Sequence, residues 1–185
     1  PSIDVPVSVD TMKTQVAERC IALGAEIIND VMGLRADGML EACADGGASV
    51  VIMHMEGDMS TVHGTDMGGD FKESIRSFLR ERTSAAVEAG IPDDMIILDP
   101  GIGFGKTPSQ NLEILLDPTF FSDGHRVLTA SSRKRFLSEA FPDMGRDEAS
   151  AEAARLSVEA GADIVRVHDV AGTVDALRRS RQGRR

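Results

Sequence analysis

Short runs of Val, Ile, Leu and Met recur along the chain, and each run is bounded by glycine or by polar residues. Continuous apolar runs of this length are typical of strands that are buried on both faces of a parallel sheet. They predict strands at residues 5–9, 27–31, 50–54, 95–99, 126–130 and 164–168. Buried parallel strands that alternate with helical segments indicate an α/β architecture.

The segments between these runs carry helical patterns. One apolar stripe at helical spacing, of the kind that faces a core, comprises Met12, Val16, Cys20 and Leu23. A second helix is predicted to begin beside Asp70, because Glu73 follows at the spacing of a helix cap. The apolar positions of this second helix are Phe71, Ile75, Phe78 and Leu79. A third, alanine-rich helix is predicted over residues 149–159 and ends near a glycine, as helices often do.

Two segments fall outside this repeating pattern. A glycine-rich loop at residues 64–69 lies between the third and fourth strands, and it predicts either a cover for an active site or a tolerated insertion. Residues 178–185 carry five arginines and could bind an acidic partner, but a frayed, solvated terminus or a cloning-derived sequence is the favoured interpretation.

Composition narrows the range of functions. The 185 residues carry a formal net charge of −10, which argues against a general surface for nucleic acid or for anionic membranes. No apolar run approaches the ~20 residues of a membrane helix, and the start does not resemble a signal peptide. Cys20 and Cys43 are isolated, and we interpret them as reduced core thiols of a cytoplasmic protein.

Polar side chains follow the predicted strands at their carboxyl ends, which is where parallel α/β folds bind ligands. These residues are Asp10, Asn29, His54, Asp99, Ser132 and His168. Three further residues in the same places, Asp30, Ser131 and Asp169, are interpreted as helix caps.

Cationic residues at the same ends indicate a phosphorylated substrate. Ser132, Arg133 and Lys134 are predicted to open a helix, where backbone N–H groups and two cations would attract an anion. Arg166 interrupts an apolar run, so we expect it to be buried and to need an anionic partner. The glycine-rich stretch 99–107 is not a P-loop, because Pro100 stands where that pattern requires glycine. The four histidines lack the spacing of a metal site, and no protein metal ligands are assigned.

Six short motifs occur together in a specific order. They are SVDT at 8–11, INDV at 28–31, MHM at 53–55, DPGIGFGKT at 99–107, SRK at 132–134 and RVHDV at 166–170. In this order they resemble the dihydropteroate synthase family over nearly the whole chain. The resemblance implies an α/β fold, a (β/α)₈ TIM barrel of the pterin-binding type, and residues 1–185 would form a single domain with six of its eight β-α units.

The family joins p-aminobenzoate to 6-hydroxymethyl-7,8-dihydropterin diphosphate and releases diphosphate, a transferase step of folate biosynthesis. By resemblance, the substrate-binding residues would be Asp10, Asn29, Met53, Asp99, Phe104, Lys106, Ser132 and Arg133. The catalytic residues would be Lys134, Arg166 and His168. The aminopyrimidinone edge of a pterin presents donors and an acceptor that carboxylates and an Asn amide can pair.

The resemblance also implies a cofactor and limits the partners. Magnesium would bind through the substrate diphosphate and through an asparagine-containing loop of the family's first two β-α units, which we expect to be missing from these residues. The partners would be the two small substrates, with no nucleic acid and no membrane, and a homodimer is compatible with the resemblance.

Three alternatives stay open. A pterin-dependent methyltransferase domain shares the barrel and the pterin-holding Asp and Asn, although methyl transfer needs no diphosphate site. A non-catalytic barrel remnant would bind a pterin without turnover. A six-stranded doubly wound domain would be complete at this length, and it would need helices on both faces of an open sheet.

Overall fold

The computed structural model describes residues 4–55 and 66–183, with the side chains of the last helix described as far as Ser180. Every predicted strand is present, although most are shorter than predicted. The strands are β1 (Ser8–Asp10), β2 (Ile27–Asp30), β3 (Ser49–Met53), β4 (Ile96–Asp99), β5 (Arg126–Thr129) and β6 (Ile164–Val165). The helices are α1 (Thr14–Ala22), α2 (Met39–Gly46), α3 (Phe71–Glu88), α4 (Pro108–Leu116), α5 (Leu137–Ala140), α6 (Arg146–Glu159) and α7 (Val170–Gly183).

The six strands form one sheet in which each strand pairs in parallel with the next one along the chain. Successive β-α-β connections are right-handed, so an order without reversal puts all the connecting helices on the same face. The sheet is therefore a curled half-barrel, as expected for six of eight β-α units. The doubly wound alternative is wrong, because that fold needs a reversal of the strand order to place helices on both faces.

The two faces of the sheet have separate apolar clusters, because successive side chains of a strand point to opposite faces. One face packs against the helices in the main core, and its strand residues are Ile28, Val50, Ile52, Ile96 and Leu98. The opposite face carries Val51, Ile97 and Leu128, with Ile164 packed against them. This second face lines the inside of the half-barrel and continues toward the polar ends of the strands.

Helix α3 confirms the stripe predicted for it. It begins at Phe71, directly after Asp70, and it buries Phe71, Ile75 and Leu79 in the main core. Helix α6 likewise covers the predicted alanine-rich helix and begins three residues earlier, at Arg146.

The stripe predicted for α1 does not face the core, so that prediction is wrong. Leu23 is 70% exposed, and Met12 and Val16 are also exposed. The helix contacts the core through Ala17, with Ile21 packed beside it. Within the described residues β1 pairs only with β2, so α1 follows an edge strand of the described sheet.

Helix α4 follows the glycine-rich stretch 99–107 and was not revealed by apolar periodicity. A capping box starts it, since Thr107 Oγ1 accepts a hydrogen bond from the Gln110 N–H and Gln110 Oε1 accepts one from the Thr107 N–H. Pro108 occupies the first helical position, where a missing N–H is harmless. The Thr-Pro-Ser-Gln sequence was the signal that could have identified this helix.

The three predicted helix caps have different outcomes. Asp169 caps α7, because its Oδ1 accepts a hydrogen bond from the Gly172 N–H at 3.0 Å. Asp30 caps a turn instead, accepting from the N–H groups of Met32 and Leu34, while α2 begins only at Met39. Ser131 begins a turn in which the Lys134 N–H donates a hydrogen bond to the Ser131 carbonyl. No helix starts there, so the interpretation of Ser131 as a helix cap is wrong.

The predicted helix at residues 132–134 is also absent. Arg133 has a φ of 61°, in the left-handed region that interrupts a helix, and α5 begins only at Leu137. Any anion site at Ser132 and Lys134 would therefore depend on side chains and a turn, and not on a helix N-terminus.

The two segments outside the repeating pattern are only partly described. Residues 64 and 65 of the predicted glycine-rich loop lie outside the described residues, while residues 66–70 form neither helix nor strand. The C-terminal segment continues α7 to Gly183, so its described part is helical and not frayed. No helix of the described ranges has the length and apolar character needed to cross a membrane.

Candidate functional site

A cavity of about 220 Å³ opens at the carboxyl ends of the strands. Most of the residues predicted for the site line it, together with two small apolar neighbours. The lining residues are Asp10, Asn29, Val31, Met53, Asp99, Phe104, Ala130, Ser132, Lys134, Arg166 and His168.

Strand register brings the polar side chains together. Asp10 pairs with Asn29 across β1 and β2, and Met53 pairs with Asp99 across β3 and β4. Paired residues of neighbouring strands point to the same face. Asp30 is one residue beyond Asn29 and therefore points to the opposite, helix-covered face.

Asp10 is held between two donors. Its Oδ1 accepts a hydrogen bond from Asn29 Nδ2, and its Oδ2 forms an ion pair with the Arg166 guanidinium. Asn29 Oδ1 is buried and has no hydrogen-bond partner within the described residues. A buried acceptor without a donor is costly, so this oxygen calls for a ligand N–H or an ordered water.

Arg166 has the anionic partner expected for it, but it is not buried as predicted. Its side chain is 54% exposed. The apolar run does not remain a strand through this residue, because β6 ends at Val165 and pairs only with β5 in the described sheet. The guanidinium therefore lies at the open rim of the cavity, where a charged group of a ligand can reach it.

Asp99 is the most deeply buried carboxylate of the site. Burial raises its pKa, while the charge of Lys134, a hydrogen bond from the Gly101 N–H, and the charges of Lys106 and Arg166 oppose that rise. The Gly101 N–H donates to Oδ1 at 2.7 Å and fixes the carboxylate plane.

Lys134 lines the same cavity as Asp99. Burial lowers the pKa of its ammonium to about 8, with Asp99 acting to raise it and Arg166 to lower it. Its Nζ donates to the Ile102 carbonyl and lies 4.4 Å from the centre of the Phe104 ring. Lys134 therefore provides a cation whose charge changes close to neutral pH.

Ser132 and His168 form a second polar pair at the rim. Ser132 Oγ lies 2.9 Å from His168 Nδ1. The backbone N–H of His168 donates a hydrogen bond to the same oxygen at 3.2 Å. The contact at Nδ1 fixes the plane of the imidazole and leaves Nε2 for a ligand oxygen.

Two of the predicted site residues do not line the cavity. Arg133 turns outward, and its guanidinium forms an ion pair with Asp147. Lys106 is buried behind the loop that carries Phe104, with its Nζ at hydrogen-bond distance from two loop carbonyls and from His54 Nδ1.

Sequence reasoning missed Asn111, which organises that same loop from α4. Its Oδ1 accepts from the Gly103 N–H at 2.5 Å, and its Nδ2 donates to the Lys106 and Thr107 carbonyls. The missed start of α4 hid it, since a helix from Pro108 brings Asn111 back beneath residues 103–107.

The described residues do not by themselves fit a magnesium site. Within residues 4–55 and 66–183 no three His, Cys, Asp or Glu side chains are grouped so as to hold a metal ion. Asp10 and Asp99, the carboxylates of the cavity, already face cationic side chains.

A larger cleft of about 550 Å³ lies between α6 and α7, and its lining includes Asp169, which directly follows His168. Two of its charged side chains pair with each other, because Arg155 forms an ion pair with Glu152. The strand-end cavity, with its buried Asp99 and an Asn29 oxygen that has no partner in the part of the chain that the structure describes, is the better candidate for a functional site.

The chain is similar to proteins named dihydropteroate synthase. It is 40% identical to the Bacillus subtilis protein over 172 residues, which are 91% of this chain and 58% of the relative. It is 35% identical to the Escherichia coli K12 protein over 179 residues, which are 95% of this chain and 63% of the relative.

Solved structures of the same name superpose closely. The Xanthomonas albilineans enzyme with 4-aminobenzoic acid matches with a TM-score of 0.89 at 39% identity, covering 97% of this chain and 65% of that one. The Burkholderia cenocepacia enzyme complexed with 7,8-dihydropteroate matches with a TM-score of 0.89 at 38% identity, covering 98% of this chain and 69% of that one.

The chain thus spans about 60% of the length of the curated relatives it matches. The family model described as "Pterin binding enzyme" matches residues 1–168, which include every residue assigned to the site. With that match over most of its length, the chain belongs to the pterin binding enzyme family.

Proposed function

We propose that this chain carries the pterin and diphosphate sites of a dihydropteroate synthase, which condenses p-aminobenzoate with 6-hydroxymethyl-7,8-dihydropterin diphosphate. The observation that carries the proposal is the buried Asn29 Oδ1, which has no partner among the described residues and lies in a cavity also lined by Asp99. An aminopyrimidinone edge supplies the N–H donors that such oxygens need.

The pterin ring would bind at the closed end of the cavity. Asp99 would accept hydrogen bonds from the ring, and Asn29 would accept one at Oδ1 while its Nδ2 stays bound to Asp10. Phe104 and Met53 line the same cavity and would contact the faces of the ring. Lys134, over the Phe104 ring, would provide a hydrogen-bond donor close to the pterin.

The diphosphate would bind at the rim. The half-exposed guanidinium of Arg166 and the imidazole of His168 both line the open side of the cavity. Their donors suit phosphate oxygens, and a cation placed there would stabilise the charge that builds up as the group leaves.

In the reaction, the bond between the exocyclic methylene carbon and the diphosphate oxygen breaks, and its electron pair leaves with the diphosphate. The amine nitrogen of p-aminobenzoate forms the new bond to that carbon and then loses a proton. Ser132, held by His168, would lie near the carboxylate of p-aminobenzoate. The reaction needs no covalent intermediate with the protein, so the residues act by binding and by charge stabilisation.

The remaining expectations are part of the same proposal. Magnesium would be held mainly by the diphosphate oxygens, since the described residues bring no three metal-ligating side chains together. Homodimer formation and a cytoplasmic location stay predictions. The methyltransferase alternative is not favoured, because the relatives and structures reported above are named dihydropteroate synthases.

Replacing Asp99 tests the pterin site. Asp99→Ala removes the ring's acceptor, and a charge-assisted hydrogen bond is worth roughly 1.5–3 kcal/mol, so affinity for 6-hydroxymethyl-7,8-dihydropterin should fall at least about tenfold by calorimetry. Asp99→Asn keeps an oxygen for the Gly101 N–H but offers the ring an NH₂ group, and it should lose comparable affinity.

The matched control for Asp99 is Asp163→Asn, which changes a carboxylate at the amino end of the sheet that accepts from the Val127 N–H. It should bind the pterin like the unmodified chain. Unchanged affinity in Asp99→Asn would contradict the assignment of Asp99 as the ring's acceptor.

Replacing Arg166 separates the two substrate regions. Arg166→Met should weaken binding of the pterin diphosphate at least about tenfold more than binding of the pterin without diphosphate, because only the former places phosphate oxygens at the rim. Arg126→Met, an exposed arginine at the start of β5, is the control and should change neither affinity. Equal losses for both ligands in Arg166→Met would mean that Arg166 only supports Asp10.

The pKa of Lys134 predicts a pH dependence. Because burial lowers that pKa to about 8, the Lys134 side chain carries its positive charge below pH 8 and loses it as the pH rises through this value. Pterin affinity should therefore fall above pH 8. Lys134→Arg stays charged throughout this range, so its affinity should fall only at higher pH. Identical profile shapes, measured by calorimetry from pH 6.5 to pH 10, would exclude a role for the Lys134 charge.

A further inference from the structure

Lys106 is a buried ammonium group in contact with a backbone loop. Its Nζ donates to the Gly101 carbonyl at 3.0 Å and to the Phe104 carbonyl at 2.9 Å. The residue is only 4% exposed and is not among those that line the strand-end cavity. Its position therefore suits it to hold the loop and not to touch a ligand in the cavity.

His54 faces Lys106 from the end of β3. Lys106 Nζ lies 3.1 Å from His54 Nδ1. Burial, followed by the charges of Lys106 and Arg35, lowers the pKa of His54 to about 3, so its ring is neutral and Nδ1 can accept. The imidazole packs edge-on against Phe78 at 5.1 Å, which fixes its orientation.

The loop held in this way joins two residues of the site. Gly101 donates its N–H to Asp99 Oδ1, and the Gly101 carbonyl also accepts from the Phe104 N–H at 3.1 Å. Phe104 in turn packs under Lys134 at the cavity wall. A shift of the Gly101 carbonyl would therefore disturb both Asp99 and Phe104.

The loop also has little room to adjust on the side of β3. A Cβ atom at Gly101 would lie 1.8 Å from the His54 carbonyl oxygen and 3.3 Å from Lys106 Nζ. Gly101 has a φ of 72°, which also favours glycine. The backbone is thus pressed against the end of β3, with the ammonium beside it.

We propose that Lys106, through its contact with His54, is a positioning residue of the pterin site, which fixes residues 101–105 so that Asp99 and Phe104 receive the ring. The inference rests on the proposed function and extends it to two residues outside the cavity. Lys106 acts through the loop backbone, and His54 supplies the neutral acceptor that orients its ammonium.

The test combines a measurement of the loop with a measurement of binding. Lys106→Met removes the donor while keeping a side chain of similar length. We expect amide hydrogen exchange in residues 101–105 to rise at least about tenfold, while exchange in β3 and β4 changes less than about twofold. Affinity for 6-hydroxymethyl-7,8-dihydropterin should fall at least about tenfold. Lys13→Met, at an exposed lysine before α1, should change neither quantity.

A paired change at His54 gives an independent measure if Lys106→Met does not fold. His54→Asn keeps an oxygen near the place of Nδ1, whereas His54→Leu has no acceptor. The Asn variant should keep most of the pterin affinity and loop protection, and the Leu variant should lose both.

A positioning role also predicts how the two substrate regions respond. Lys106→Met should weaken binding of the pterin and binding of the pterin diphosphate by the same factor, because the loop contacts the site of the ring and not the rim of the cavity. Unchanged loop exchange, unchanged pterin affinity, or a loss confined to the diphosphate form would overturn the inference. If the unmodified chain binds no pterin, the proposed function fails, and the exchange contrast still decides whether Lys106 holds the loop.

Discussion

A side chain on a β-strand faces one side of the sheet or the other according to the parity of its position, and parallel strands end at a common edge. In this chain, neighbouring strands are paired in a register that gives Asp10 and Asn29, and Met53 and Asp99, the same parity. A shift of one residue in a single strand would turn its polar group into the helix-covered core. The main apolar cluster on the opposite face, with Ile28, Val50 and Leu98, fixes that parity and thereby fixes the site.

Charge balance is the second constraint on the cavity. Asp10 and Asp99 face Arg166 and Lys134, and burial acts against the charged form of both Asp99 and Lys134. Two partly desolvated groups of opposite sign stabilise each other's charged forms. Where this attraction does not fully offset the cost of burial, a ligand that binds beside the pair changes the balance between its charged and neutral forms. The buried Asn29 oxygen adds a neutral acceptor to this arrangement. The cavity is therefore suited to a planar polar ring more than to a purely apolar ligand.

The sequence predicted strands such as β3 and β4 well, because each is a continuous apolar run that is buried on both faces. It also predicted the polar strand ends, since residues such as Asn29 and Asp99 directly follow those runs. It did not predict the exposed stripe of α1, because periodicity identifies an apolar face and not the element that covers it. The burial of Arg166 was wrong for a related reason, as an apolar run does not tell how many neighbours its strand has.

Contacts between segments that are distant in the sequence could not be predicted, for a different reason. Lys106 and His54 are 52 residues apart, and only the pairing of β3 with β4 brings the ends of those strands together. Asn111 could have been found through the capping sequence before α4, but its hydrogen bond to Gly103 depends on the path of the glycine-rich loop. Local patterns predict elements and their polar ends, whereas the residues that hold a loop in place follow from the tertiary structure.

A crystal structure of the chain with 6-hydroxymethyl-7,8-dihydropterin would show directly whether the inward-facing ends of the strands form the proposed pterin site. We expect the ring in the strand-end cavity, with its aminopyrimidinone edge within hydrogen-bond distance of Asn29 Oδ1 and the Asp99 carboxylate. A ring bound elsewhere, for instance in the cleft between α6 and α7, with the strand-end cavity left to solvent, would contradict it.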